Sequence, residues 1–148
     1  MTVIYADGSC VNQGTAQASA GIGVYFGPND ARNYSGKIAG PQNSNRAEIE
    51  AIRKALHLLG IYFQSSGHRN VVIRTDSAYV IEAVNLAKQR ARCGSTCGGM
   101  DANADVVNDV VKTMATCGYA VTLQKVQAHS GDPGNEKANE LAYAAAKR

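Results

Sequence analysis

Three strand-like segments precede the first helical pattern in this chain, and this order restricts the fold more than any other feature of the sequence. Residues 2–7 form the first segment, and residues 20–26 alternate small and large side chains at the period of a strand. The turn residues Gly27-Pro28-Asn29-Asp30 lead into a third segment at residues 32–38. Strands joined in this way predict an antiparallel hairpin or meander.

Helix and strand patterns alternate in the rest of the chain. Apolar residues at three- and four-residue spacing predict a helix over residues 46–59, with a buried face formed by Ile49, Ile52, Leu56 and Leu59. The apolar run at 71–73 is typical of a central strand covered on both faces. Further patterns predict a helix from about Ala78, another between Val106 and Met114, a strand at 121–126 and a helix at 135–147. We therefore expect one α/β domain over residues 1–148, with a five-stranded mixed sheet, its first three strands antiparallel, and helices on both faces.

The composition is that of an ordinary globular domain with a weak positive charge. The 148 residues match the roughly 150 residues of one domain. Fifteen Lys and Arg residues against 12 Asp and Glu residues leave a net charge of +3. This excess permits a polyanionic partner but does not by itself indicate one.

Neither a membrane span nor a signal peptide is visible in the sequence. No apolar run approaches 18 residues, and the N-terminus lacks a basic region followed by an apolar stretch. We therefore expect an intracellular protein, in the cytoplasm, or in the nucleus or mitochondrion of a eukaryote. The cysteines lack the paired spacing of zinc sites and are expected to be free thiols, although Cys93 and Cys97 could pair or bind a metal; the four are Cys10, Cys93, Cys97 and Cys117.

Three acidic residues lie at the ends of predicted strands and helices. Asp7 is expected to close the first strand, Asp76 to close the fourth, and Glu48 to lie at the start of the first helix. Because the ends of adjacent strands lie side by side, these carboxylates can converge and would then require a cation. Oxygen ligands of this kind favour Mg²⁺ or Mn²⁺. The alternative is that Asp7 and Asp76 are ordinary turn and capping residues.

Four segments that contain these residues resemble the signature segments of the type 1 ribonuclease H family. In chain order they are Tyr5-Ala6-Asp7-Gly8-Ser9-Cys10, Asn45-Arg46-Ala47-Glu48, Thr75-Asp76-Ser77, and His129-Ser130-Gly131 with Gly134-Asn135-Glu136-Lys137-Ala138-Asn139-Glu140-Leu141-Ala142. The resemblance implies the ribonuclease H fold and endonucleolytic cleavage of the RNA strand of RNA–DNA hybrids by a monomer. It also implies catalysis with two Mg²⁺ ions, for which Mn²⁺ can substitute, leaving 3′-hydroxyl and 5′-phosphate ends.

The resemblance also assigns the catalytic residues. Asp7, Glu48 and Asp76 match the first three carboxylate ligands, and His129 matches a histidine that assists protonation or product release. The fourth carboxylate position falls at Asn139, ten residues after His129. An amide supplies a carbonyl oxygen but no charge, so we expect weaker metal binding and slowed or abolished turnover, whether Asn139 is natural or engineered.

Other functions remain open at this point. Asn139 is compatible with a non-catalytic domain that binds RNA–DNA hybrids, and the same segments occur in ribonuclease H domains of reverse transcriptases. An integrase or transposase acting on DNA fits the carboxylates but not the segments around Asn45 and His129.

The resemblance places further residues at the nucleic acid. Small and amide side chains are expected at the minor groove of the hybrid, namely Cys10, Asn12, Gln13, Ser44 and Asn45. Asn43 and Asn103 are expected to bind DNA-strand phosphates, and Tyr79 to stack on the substrate. The basic residues of the predicted second helix, Lys88, Arg90 and Arg92, are expected to follow phosphates. Turn, capping and solvated-surface roles are the alternatives for these residues.

Overall fold

Within the residues that the computed structural model describes, which are 2–62, 70–93, 103–116, 120–127 and 131–148, five strands form one mixed sheet. The strands are β1 (Thr2–Val11), β2 (Ser19–Tyr25), β3 (Tyr34–Lys37), β4 (Asn70–Thr75) and β5 (Ala120–Lys125). They are ordered β3-β2-β1-β4-β5. The pairs β1-β2 and β2-β3 are antiparallel, and β1-β4 and β4-β5 are parallel. The predicted mixed sheet with three antiparallel strands is confirmed.

Helices cover both faces of this sheet, as predicted. They are α1 (Ser44–Tyr62), α2 (Ala78–Cys93), α3 (Ala104–Thr116) and α4 (Pro133–Ala146). The last helix begins two residues earlier than predicted, because Asp132 caps its first turn and Pro133 occupies its first position. No helix in the described part of the chain is both long enough and apolar enough to cross a membrane.

The first strand continues past Asp7, where the sequence predicted that it would end. The chain remains extended through Gly8 and Ser9 and pairs with β2 as far as Val11. The chain turns only beyond β1, where Asn12 has a φ of 55° and Gly14 a φ of 82°. The pairing of β1 with β4 stops earlier, at Tyr5, so Asp7 lies in mid-strand beside the end of β4.

The absence of a side chain at Gly8 allows α1 to pack closely on β1. A Cβ atom at this position would lie 2.4 Å from the backbone nitrogen of Glu48. The predicted apolar face of α1 is buried against the sheet, with Ile49 and Ile52 fully buried. This close packing brings Glu48 to the edge of β1 next to Asp7.

The opposite face of the sheet is covered by α4, which packs on β1, β2 and β3. A Cβ atom at Gly23 would lie 2.2 Å from the carbonyl oxygen of Ala138 and 2.7 Å from the backbone nitrogen of Ala142. The backbone of α4 therefore lies directly on β2. Gly23 is paired with Asp7 across the sheet, so this part of α4 also lies beside Asp7.

Replacing Gly23 by alanine should destabilise the protein by about 3 kcal/mol, because the added methyl group meets helix backbone and not a movable side chain. The control is Gly60→Ala. Gly60 is exposed in α1 and has open space around it, so alanine there should be neutral or stabilising by up to about 1 kcal/mol. Urea denaturation of both variants measures the difference, and equal stabilities would contradict this packing.

The fourth strand is fully buried on one face and half-buried on the other, although its apolar run predicted burial on both. Val71 and Ile73 are buried, whereas Val72 and Arg74 are half-buried. The reason is that α4 packs on β1, β2 and β3, while β4 lies farther toward the other edge of the sheet.

Candidate active site

Three carboxylates from three separate elements meet at one edge of the sheet. Asp7 lies in β1, Asp76 follows the last residue of β4, and Glu48 lies in the first turns of α1. One oxygen atom from each of these residues lies within 4.8 Å of the others. The structure thus brings together the three acidic residues that the sequence predicted to converge.

Asp7 is the most deeply buried member of the cluster, with 2% of its surface exposed. Its Oδ1 accepts a hydrogen bond of 2.9 Å from the backbone N–H of Gly8, while its buried Oδ2 has no hydrogen-bond partner among the described residues. Burial, together with the charges of Asp76 and Glu48, raises the pKa of the Asp7 carboxyl to about 8. Ionised Asp7 is therefore unfavourable unless a cation is present.

Glu48 shows the same effect to a smaller extent. Burial raises the pKa of the Glu48 carboxyl, a hydrogen bond with the Ser77 side chain opposes that rise, and the charge of Asp76 adds to it. The cluster consists of oxygen donors only, which suits Mg²⁺ or Mn²⁺ and not zinc. An orphaned Oδ2 on Asp7 and the mutual repulsion of the carboxylates both fit a bound divalent cation.

A fourth polar side chain, Asn135, reaches the cluster from α4. Its Nδ2 donates a hydrogen bond of 3.4 Å to Oδ2 of Asp76. The residue is 3% exposed, and its buried Oδ1 has no partner among the described residues. The sequence does not predict Asn135 as a site residue, because an asparagine at the start of a helix is typical of capping. The signals that could have identified it are its place within the fourth signature segment and its position four residues before Asn139.

Asn139 lies one helical turn after Asn135 and on the same side of α4. It is half-buried, and its neighbour Ala138 approaches Gly23, the cross-strand partner of Asp7. The fold therefore carries Asn139 on the part of α4 that lies beside Asp7. His129 lies outside the described residues.

The residues predicted at the minor groove lie at the end of β1, in the loop after it, and at the start of α1. The Gln13 side chain accepts a hydrogen bond of 2.8 Å from the backbone N–H of Ser44 and so joins the loop to the helix. The Asn43 side chain caps α1, because its Oδ1 accepts a hydrogen bond of 2.8 Å from the backbone N–H of Arg46. Cys10 is a half-buried free thiol with Sγ 3.6 Å from the carbonyl oxygen of Gln42. The exposed members of the predicted set are Asn12, Gln13 and Asn45.

Asn103 and Tyr79, predicted in separate roles, contact each other. Nδ2 of Asn103 donates a hydrogen bond of 3.0 Å to the Tyr79 hydroxyl. Asn103 is 5% exposed, and its carbonyl oxygen accepts from the first turn of α3. The structure thus gives Asn103 a structural role at the start of α3 and beside Tyr79.

The basic residues at 88–92 lie on α2, as predicted. Lys88 and Arg90 are half-buried, and the side chain of Arg92 lies outside the described part of the structure. The side chain of Cys93 and all of Cys97 and Cys117 also lie outside it, so their state stays a prediction.

Comparison with known proteins matches the whole fold. Ribonuclease H of Schizosaccharomyces pombe is 38% identical over 144 residues, which cover 95% of this chain and 51% of that protein. The structure of LC9-RNase H1, a type 1 RNase H with the type 2 active-site motif, is 27% identical with a TM-score of 0.70 and covers 99% of this chain and 72% of that one. LC11-RNase H1 in complex with an RNA/DNA hybrid is 20% identical with a TM-score of 0.71, over 99% and 97% of the two chains, and shows the fold alone.

The chain spans about half the length of the first curated relatives that it matches, including the mammalian proteins named Ribonuclease H1. The RNase H family model, however, matches residues 1–147, which is nearly the entire chain. On the strength of this match and of the shared fold, the chain belongs to the RNase H family.

Proposed function

We propose that this chain is an endonuclease that hydrolyses the RNA strand of RNA–DNA hybrids, leaving 3′-hydroxyl and 5′-phosphate ends. The observation that carries the proposal is the cluster of Asp7, Glu48 and Asp76, whose oxygens lie within 4.8 Å of one another. Residues 1–148 would form a single catalytic domain that acts as a monomer. The names of the curated relatives support the reaction, and the hybrid bound to LC11-RNase H1 supports the substrate.

The residues present fit two Mg²⁺ ions, for which Mn²⁺ can substitute. Asp7, Glu48 and Asp76 would hold them, with the Asn139 amide oxygen at the fourth ligand position. When bound, the two ions would activate the attacking water and stabilise charge on the phosphate and the leaving oxygen. The carboxylates must be ionised to bind the metal, which the raised pKa of Asp7 opposes until a cation is present. His129 would assist protonation of the leaving group or release of product.

Hybrid recognition would depend on hydroxyl and amide groups more than on total charge. The exposed amides of Asn12, Gln13 and Asn45 offer both donors and acceptors to the 2′-hydroxyls that distinguish RNA from DNA. Lys88, Arg90 and Arg92 on α2 would contact phosphates, with Asn43 and Tyr79 completing the proposed surface.

Cleavage of matched duplexes tests this function. An RNA–DNA hybrid labelled on the RNA strand is compared with duplex RNA, duplex DNA and single-stranded RNA of the same sequence. We expect cleavage of the RNA strand of the hybrid alone, with Mg²⁺ and not with a chelator. Cleavage of duplex DNA would contradict the proposal and would favour a DNA-acting relative of the same fold.

Restoring a carboxylate at residue 139 should increase activity. Asn139→Asp adds a charged ligand, so we expect a lower Mg²⁺ concentration at half-maximal cleavage and a kcat raised about tenfold. The control is Asn108→Asp, the same change at an exposed position of α3. Titration of Mg²⁺ in the cleavage assay measures kcat and the half-maximal Mg²⁺ concentration of both variants. An Asn139→Asp variant with no higher kcat and no lower Mg²⁺ requirement would contradict a deficient fourth ligand.

A non-catalytic hybrid-binding domain is the second candidate, and Asn139 is the observation that favours it. The curated relatives are named ribonuclease H, which supports an active enzyme here. Hybrid binding without cleavage by either the natural chain or Asn139→Asp would establish the second candidate.

A further inference from the structure

Hydrogen bonds between side chains connect the start of α4 to β1 and β4, the two strands that lead to Asp7 and Asp76. Nη1 of Arg74 donates a hydrogen bond of 2.8 Å to the Tyr5 hydroxyl, which donates in turn to Oδ2 of Asp132 over 3.4 Å. We call these three residues the Arg74–Tyr5–Asp132 tether. A second hydrogen bond holds Arg74, because its Nε donates to Oε1 of Gln124 on β5 over 2.7 Å.

The tether starts close to the carboxylate cluster. Tyr5 and Arg74 are paired neighbours in β1 and β4. Tyr5 precedes Asp7 by two residues on the same face of β1, a separation of about 6.6 Å along a strand. Arg74 likewise precedes Asp76 by two residues.

Asp132 links this pair to the first turn of α4. Its Oδ1 accepts hydrogen bonds from the backbone N–H groups of Gly134, at 3.0 Å, and Asn135, at 3.4 Å. Its Oδ2 accepts the hydrogen bond from the Tyr5 hydroxyl. The Tyr5 ring also packs on Gly134, where a Cβ atom would lie 2.2 Å from the ring. Tyr5 therefore contacts both the cap and the first turn of the helix.

The helix does not need the tether to stay on the sheet. Its backbone is already packed on Gly21 and Gly23, and Ala138, Ala142 and Ala145 are fully buried. The tether instead fixes the position of the end that carries Asn135. Among the described residues, the Asn135 side chain makes one long hydrogen bond, to Asp76, so its own contacts are weak anchors.

We propose that Tyr5, Arg74 and Asp132 are positioning residues for the active site, which hold the start of α4 so that Asn135 meets Asp76 and Asn139 lies beside Asp7. The inference rests on the proposed function, because the arrangement it maintains is that of the carboxylate cluster.

Two variants remove the tether and keep the packing. Tyr5→Phe loses the hydroxyl but retains the ring on Gly134, and Asp132→Ser retains a good N-cap but is too short to reach Tyr5. We expect each to lower kcat about tenfold, to raise the Mg²⁺ concentration at half-maximal cleavage, and to leave KM for the hybrid unchanged.

The double variant should lose no more activity than either single variant, because both substitutions remove the same contact. Tyr25→Phe, the cross-strand neighbour of Tyr5, is the matched control and should cleave normally.

Backbone amide hydrogen exchange gives a readout that does not depend on catalysis. In both variants we expect faster exchange in the first turn of α4 and unchanged exchange near Ala142 to Ala146. Normal kcat and normal exchange in both variants would overturn the inference, as would losses that multiply in the double variant. If the natural chain cleaves no hybrid, the proposed function fails, while the exchange measurement still decides whether the tether positions the helix.

Discussion

Asp7→Asn should abolish Mg²⁺-dependent cleavage of the hybrid, with a loss of at least about 10³-fold in kcat. Changes to the hydrogen-bond partners of metal ligands already cost about 10- to 100-fold, so loss of a charged ligand at the centre of the cluster should cost more. Asp7 is the residue that both Asp76 and Glu48 approach, and its Oδ2 has no other partner among the described residues. Steady-state cleavage in saturating Mg²⁺ measures the effect.

The matched control for this variant is Asp109→Asn. It removes the same charge in the same way from an exposed position on α3, where Asp109 lies 3.6 Å from Arg53. We expect its kcat to equal that of the natural chain. Substantial activity in Asp7→Asn, with normal folding, would mean that the cluster is not the metal centre.

The metal-free protein should become less stable as the pH rises from about 4 to about 8. In the unfolded chain Asp7 loses its proton near its ordinary pKa of 3.8, whereas in the folded protein it holds the proton until about pH 8. Between these values the folded state binds more protons, so the free energy of unfolding falls with rising pH. Each unit of pKa shift corresponds to about 1.4 kcal/mol, so the loss across the window should reach several kcal/mol. The raised pKa of Glu48 acts in the same direction.

Urea denaturation with a chelator, at several pH values, measures this loss. Mg²⁺ should restore stability most strongly near pH 8, because a cation that binds only the folded, ionised cluster stabilises it by mass action. Asp7→Asn should flatten the pH dependence and remove most of the Mg²⁺ effect. A natural chain whose stability changes with neither pH nor Mg²⁺ would contradict the electrostatic description of the cluster.

The sequence predicted the element order and the sheet because hydrophobic periodicity reports directly on which faces are buried. It misplaced the end of β1 because a glycine that permits close helix packing, such as Gly8, looks the same as a glycine in a turn. The start of α4 was predicted two residues too late, although Asp132-Pro133 is a typical pair at the start of a helix.

The carboxylate cluster was predictable because the ends of neighbouring strands meet at one edge, and the motifs identified which acids lie there. The contacts of Asn135 and of the Arg74–Tyr5–Asp132 tether were not predictable in this way. Asn135 and Asp76 are 59 positions apart in the sequence, and Tyr5 and Asp132 are 127 positions apart. Only the docking of α4 on the sheet determines that these side chains meet.

Anomalous diffraction from a crystal containing Mn²⁺ and an uncleaved RNA–DNA hybrid tests the proposed metal centre most directly. We predict two Mn²⁺ peaks at the RNA strand, held by Asp7, Glu48 and Asp76, with the Asn139 amide oxygen at one of them. A bound hybrid with no Mn²⁺ at these three carboxylates would show that they are not the metal centre.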